Sequence, residues 1–379
     1  MNHVFINKSS HFLPNEPVKN EDMEEILGRI GGNASRIKNI ILNKNKITTR
    51  YYSLTRQGTT AFSNADMAAS AVRKLFSKDF PAHKLQALCC GTSSPDLIMP
   101  SHASMVHGLL KETNTLEIFS PSGVCASAMQ GLAYCYNAIK AGSIENAIST
   151  GSELASPLFK ALFFESEYSR IAELQNNPTI AFEKDFLRFM LSDGAGAFLL
   201  SNTLSKGLNY EIEWIDSYSY ANEMPPCMTQ GGYAKNENEW VFWKEIPPKE
   251  WDAKSVFAVK QDTHLVEYCV PLATKSLLKS QKKRNIDFTT VDFFLPHISS
   301  MYFYKKLLSD YIENNIDIKE SKWYTPLSDV GNVGSASIYI ALDMLSKVKE
   351  IEDGNRILLF IPESSRFNFY YVMLRAKVY

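Results

Sequence analysis

The sequence lacks any Cys-x-x-Cys pair and any cysteine–histidine spacing of the metal-binding kind, although it carries six cysteines: Cys89, Cys90, Cys125, Cys135, Cys227 and Cys269. That pattern argues against a bound metal and for free thiols in a reducing compartment, so the question becomes which thiol reacts. Charge of one sign is also missing: 40 Lys and Arg face 41 Asp and Glu, a formal net charge of -1. No general attraction to nucleic acid or anionic lipid follows from such a balance. Long apolar runs are absent too, and the opening MNHVFINKSSHFLPNEP has no basic region followed by an apolar stretch. A cytoplasmic protein without membrane insertion is expected. Asn7-Lys8-Ser9 fits a glycosylation sequon, but without a secretion signal it reads as a chance match.

What is present is a packed globular composition, 45% hydrophobic and 21% charged. At 379 residues the chain exceeds one small core, which predicts two domains or two similar halves. From Leu85 the order is strand (LQALCCG), turn (TSSPD), a helix over about 101–111, strand (LEIFS), a helix over 126–141, and strand (NAISTGSE). A comparable order returns after position 210. Strand YEIEWIDSYSY leads to a helix over about 263–284, then strand VDFFLPH, a helix over 300–314, the turn DVGNVG, a helix over 335–348 and strand RILLFIP. The alternation predicts a layered α/β fold with an internal repeat, divided into 1–210 and 211–379. Two regions break it. Residues 154–190 are aromatic without strand alternation and read as a helical insertion, either a lid for a long apolar substrate or ordinary packing. Residues 222–254 read as an irregular surface excursion.

Cys125, in SPSGVCASAMQGL, sits after a Gly-containing turn and before a helix. Helix N-termini favour thiolate, which would make it a nucleophile; alternatively, it is one more small buried residue. His297, in FFLPHISS, follows an apolar strand, where α/β proteins place working side chains; a packed or solvent-exposed histidine is the plainer reading. Asn332, in DVGNVGSASIYIAL, lies between glycines at another turn into a helix, where Asn also serves as a simple cap. Chance explains the three together less well than any one alone.

On these motifs, with ISTGSE and LSDGAGAFLLS between them, the chain resembles the ketosynthase III group of thiolase-fold condensing enzymes along nearly its whole length. The resemblance implies a thiolase-like duplicated five-layer α/β/α/β/α fold, a homodimer, and convergence of Cys125, His297 and Asn332 between the halves. It implies an acyltransferase with no bound cofactor, acting on acyl thioesters of carrier protein or coenzyme A. Cys125 would take the acyl group, its backbone N–H would serve the oxyanion, and His297 with Asn332 would support the enolate. Asp193 would shape a turn and Glu153 would support the core.

The chain departs from the family pattern at three points. Ser300 stands where an asparagine usually follows the histidine. The C-terminal glycine loop reads PESSRFNF, so that Ser365 takes the second oxyanion-donor position. The nucleotide-binding basic and tryptophan positions are not reproduced, Lys44 and Ile40 being the nearest match, which favours acyl carrier protein over coenzyme A. The departures, with FLPNEPVKNEDMEEILGRIGG and NKITTRYY, are similar to the subgroup of dialkylresorcinol pathways. That subgroup joins two fatty acyl thioesters, one of them 3-oxoacyl, into a cyclohexanedione for a downstream aromatase. The alternatives are fatty-acid initiation with malonyl carrier protein and acyl-CoA, and an inactive partner subunit, against which the cysteine argues. Lys305 and Lys306, like Lys279–Asn285, can dock an acidic carrier or be solvated helix surface.

Overall fold

The computed structural model describes residues 2–164, 186–236 and 239–379. Its main sheet, among the described residues, has nine strands. In chain order they are β1 (Phe5–Phe12), β2 (Ala87–Gly91), β3 (Glu117–Phe119), β4 (Asn146–Glu153), β5 (Gly194–Ser201), β6 (Leu208–Ser219), β7 (Phe293–Pro296), β8 (Arg356–Glu363) and β9 (Asn368–Val378). The spatial order is β7-β8-β9-β6-β1-β5-β4-β2-β3. Two wings meet at a short seam, where Phe5 and Ile6 of β1 pair antiparallel with Glu211 and Tyr210 of β6. The outer strands β2, β3 and β4 run parallel in one wing, as do β7 and β8 in the other. Strands β2 and β4 are buried on both faces, which explains their non-alternating sequences ALCCG and NAISTGSE, whose one charged residue, Glu153, ends β4.

Six helices clothe the wings: α1 (Asn64–Arg73), α2 (His102–Leu109), α3 (Ser127–Ala141), α4 (Cys269–Arg284), α5 (Met301–Glu313) and α6 (Ser337–Val348). Helices α3 and α6 share one apolar core with residues of both wings, including Leu132, Tyr339, Phe198, Leu359 and Val372. Helices α1 and α2 cover the far side of the first wing around Met67, Val72 and Val106. Helices α4 and α5 cover the far side of the second around Val270, Leu277 and Leu307. The result is the thiolase-like α/β/α/β/α layering, as the resemblance implied.

Most expected elements form within a residue or two of their predicted bounds. The exception is the helix expected from about 263: residues Leu265–Tyr268 are a 3-10 turn and α4 starts only at Cys269. Pro271 explains the shift, because proline lacks an N–H and is accepted only in a helix's first turn. Strands β1, β5 and β9 and helix α1 carried no prediction. The 222–254 excursion is irregular as expected, with a small hairpin of Gly232–Asn236 and Glu239–Phe242 and packed rings of Trp243 and Trp251. Of the expected 154–190 insertion, 165–185 lie outside the described residues; the flank before them forms 3-10 turns Ser156–Phe159 and Ala161–Phe164. Asn7 is buried in β1 with its amide bonded to Asn209 and Thr203, so it is no exposed sequon.

Two glycines set how closely the middle layer approaches. A Cβ on Gly91, the last residue of β2, would stand 2.4 Å from the backbone nitrogen of Ala128 in α3; one on Gly151 in β4 would stand 2.4 Å from the Ser335 carbonyl oxygen. The turns into α3 and α6 therefore rest directly on strand backbone.

Candidate active site

Three turns converge at one end of the middle layer. Cys125 lies two residues before α3. Residue His297 follows the last residue of β7, and its N–H donates to Phe360 of β8 at 2.7 Å. Asn332 is clamped by its backbone: its N–H donates to the Met190 carbonyl at 3.1 Å, and its own carbonyl accepts from Ser192 at 2.9 Å. All three line one cavity of ≈ 330 Å³. Apolar wall comes from Leu158, Phe159 and Met190 on one stretch of chain, and from Val266, Val270, Ala273 and Leu307 around α4 and α5. Met228, Thr229 and Gln230 of the irregular excursion complete the lining.

The electrostatics differ from the expectation for the thiol. Burial pushes the Cys125 thiol well up, and the carboxylates of Glu363 and Glu153 and the Cys269 thiol push it further; only its own backbone N–H works the other way. The part of Cys125 that stays accessible faces the cavity, so bulk water does little to offset the two carboxylates. A helix terminus alone predicted a lowered value, but here Ala126, not Cys125, is the capping residue, and burial with the two carboxylates raises the thiol instead.

His297 is 5% exposed, and burial takes its imidazole down to about 4, so the ring is neutral at physiological pH. Among the described residues its ring nitrogens have no hydrogen-bond partner. The Asn332 side-chain oxygen accepts from the Gly334 N–H at 2.9 Å, a local turn bond that leaves its amino group as the donor that remains.

Ser365 does not line the cavity. Its hydroxyl donates to Glu363 at 2.8 Å and its carbonyl accepts from Cys227 and Met228, whereas the neighbouring Ser364 is on the wall. Ser300, standing for the family's asparagine, is fully buried and caps α5 through the Tyr302 N–H at 3.3 Å. Lys306 pairs with Glu267 and lies over the Tyr302 ring; Lys305 is exposed. Within Lys279–Asn285, Lys283 and Arg284 both bind Asp216. Lys44 also stands over Tyr302, 6.0 Å from the ring centre, while Ile40 is exposed.

Two carboxylates mattered more than the sequence reading allowed. Glu153 is on the cavity wall and is tied down by Ser93, Ser94 and the Ser335 N–H. Burial raises it, partly offset by those bonds. Glu363, at the end of β8, accepts from the N–H groups of Val124 at 2.9 Å and Ala126 at 3.0 Å on one oxygen, and from Ser365 and Asn368 on the other. Its only sequence signal was that it stands in a loop where glycine is usual. Asp193 shapes a turn as expected, accepting from Ser53, Ala155 and Ser156; burial still lifts it to about 6.

The family model described as 3-Oxoacyl-[acyl-carrier-protein (ACP)] synthase III C terminal matches residues 256–360. The beta-ketoacyl-[acyl-carrier-protein] synthase III of Clostridium novyi is 22% identical over 95% of both chains, and that of Clostridium tetani 22% over 94% of this chain and 93% of its own. Among solved structures, AbyA1, a tetronic acid condensing enzyme, superposes with a TM-score of 0.74 at 17% identity, covering 98% of this chain and 99% of its own. A single-residue variant of Xanthomonas campestris OleA gives 0.73 at 19%, covering 99% and 98%. Fold and relatives together define a thiolase-fold condensing enzyme, a transferase. Within that class the chain is similar to the ketosynthase-III-like condensing enzymes.

Proposed function

We propose that this protein joins two fatty acyl thioesters, one 3-oxoacyl and the other 2-enoyl, by Claisen condensation on Cys125, and that addition of the 3-oxoacyl chain's C4 to C3 of the enoyl chain closes a cyclohexanedione of the dialkylresorcinol type. The observation that carries the reading is a single apolar-walled cavity onto which Cys125, His297 and Asn332 all open. The Cys125 sulfur attacks the first thioester carbonyl. Its proton passes by way of His297 to the departing thiol, and the acyl group stays on the enzyme. The Cys125 N–H is one oxyanion donor, and the loop of Ser365, with Ser364 beside it on the cavity wall, supplies the second. The second thioester passes a proton from the carbon between its two carbonyls to the Glu153 carboxylate on the cavity wall, which later returns it to the Cys125 thiolate. Neutral His297 and the Asn332 amino group hydrogen-bond the enolate oxygen, the carbanion attacks the acyl carbonyl, and the Cys125 thiolate leaves and recovers a proton.

The two halves, 1–210 and 211–379, contribute the cysteine and the His–Asn pair respectively. No cofactor enters the steps; the substrates are thioesters of acyl carrier protein, with exposed Lys305 as a docking point and Lys306 beside it. A homodimer is supported by the exposed edge strand β3, with Ile118 and Phe119, and by exposed Ile98 and Met99. Among the described residues no helix is long and apolar enough to cross a membrane, and no cluster fits a metal.

A second reading, the initiating step of fatty-acid synthesis, is favoured by the names of the full-length clostridial relatives. Intact-mass spectrometry with 3-oxoacyl and 2-enoyl thioesters, on carrier protein and on a pantetheine mimic, separates the two. An adduct on Cys125 with release of a cyclic dione supports condensation of two fatty chains. An adduct that turns over only with malonyl carrier protein, to a linear product, replaces it with initiation.

A further inference from the structure

We propose that Glu363 is a positioning residue of the condensing site: one of its carboxylate oxygens holds the N–H groups on both sides of Cys125 and so fixes the turn that presents the nucleophile. The inference rests on Cys125 being the acylated thiol. Backbone N–H groups of Val124 and Ala126 converge on Glu363 Oε2 at 2.9 and 3.0 Å, and the N–H between them, that of Cys125, stays outside the grip. Skipping one residue in this way is what leaves the intervening amide free for an oxyanion. The carboxylate is itself held from behind, Oε1 accepting from Ser365 Oγ at 2.8 Å and Asn368 Nδ2 at 3.1 Å. A glycine in this loop position would supply none of these acceptors.

The grip has an electrostatic consequence. After burial, Glu363 is the largest influence raising the Cys125 thiol. The resting cysteine is therefore kept protonated and unreactive toward stray electrophiles, and it gives up its proton only as a thioester carbonyl arrives on the oxyanion donors. Geometry and charge can be separated by substitution. Glu363→Gln keeps an oxygen for Val124 and Ala126, while the Ser365 hydroxyl and Asn368 amide can turn to accept from the new amino group. Glu363→Ala removes both.

The test is the rate of Cys125 alkylation by iodoacetamide across pH 6 to 10, together with self-acylation by an acyl-pantetheine thioester, in the full-length wild type, Glu363→Gln and Glu363→Ala. Thermal melting identifies a variant that fails to fold. For Glu363→Gln the pH midpoint of alkylation is expected to fall by at least half a unit with acylation largely kept. For Glu363→Ala, acylation is expected to drop tenfold or more, with partial retention in Asn368→Ala, which loosens the carboxylate without removing it. If the folded Gln and Ala variants keep the wild-type midpoint and acylation rate, Glu363 only packs and the inference is overturned. A wild type that acylates at another residue instead overturns the reading on which it rests.

Discussion

At the scale of single residues, the cavity separates two jobs that the same chemistry is often asked to share. His297 is buried without a hydrogen-bonded carboxylate, so it stays neutral and can donate to an enolate without carrying a charge that would bind water. Cys125, with two carboxylates nearby, is poised against early ionisation. Cys125→Ala is expected to abolish acyl transfer while leaving a folded dimer, read by intact mass and sedimentation; full turnover in that variant would end the mechanism. His297→Ala is expected to keep self-acylation and lose condensation. Loss of acylation instead would give the histidine the role of activating the thiol.

At the scale of elements, the turns that carry the site rest on sheet backbone in addition to being held by the Glu363 and Glu153 side chains. Gly151 of β4 lies under the 334–336 turn, and an added Cβ would meet the Ser335 carbonyl carbon at 2.8 Å as well as its oxygen at 2.4 Å. Both are backbone atoms, so the turn itself must move. Gly151→Ala should cost about 1–3 kcal/mol of stability in urea unfolding. It should also impair condensation more than acylation, because on the Asn332 side the new Cβ meets rigid backbone, whereas on the Cys125 side it meets only the Ala128 Cβ, at 2.9 Å. Equal loss of both steps would mean that the strain spreads through the whole middle layer.

At the scale of the whole molecule, burial of histidine makes the fold sensitive to acid. His297 is taken down to about 4 by burial; His102, also brought to about 4 by burial with Asp96 working against it, bonds Ser152 inside the first wing. Below about pH 6.5 the unfolded chain binds protons that these two sites refuse, so stability is full above that value and is lost as pH falls toward 4. Each contribution is on the order of 3 kcal/mol. Asp193 acts in the opposite sense, since its folded value near 6 means that the native state takes a proton first as pH falls. It offsets roughly one histidine, and a net loss remains. Melting temperature should therefore drop between pH 7 and pH 4.5, and His102→Gln should flatten the fall. An unchanged slope in that variant would remove His102 from the account.

How much of this was legible beforehand divides along a physical line. The sequence by itself determined the strand and helix order after Leu85, because periodicity and turn residues act over a few positions. It also singled out Cys125, His297 and Asn332 as candidates, because each sits at a strand or helix boundary with its own local signature, and the three line one cavity. Tertiary structure alone decided what surrounds them. Strand β1 runs at the centre of the sheet through pairings nearly 200 residues away, with Ser201 and Glu211 both opposite Phe5, a partnership that no local pattern encodes. The sign of the Cys125 shift was set by burial, and Glu363, 238 residues on, and Glu153 push it the same way. Electrostatics in a low-dielectric cavity depend on distance in space, and only the fold sets that distance.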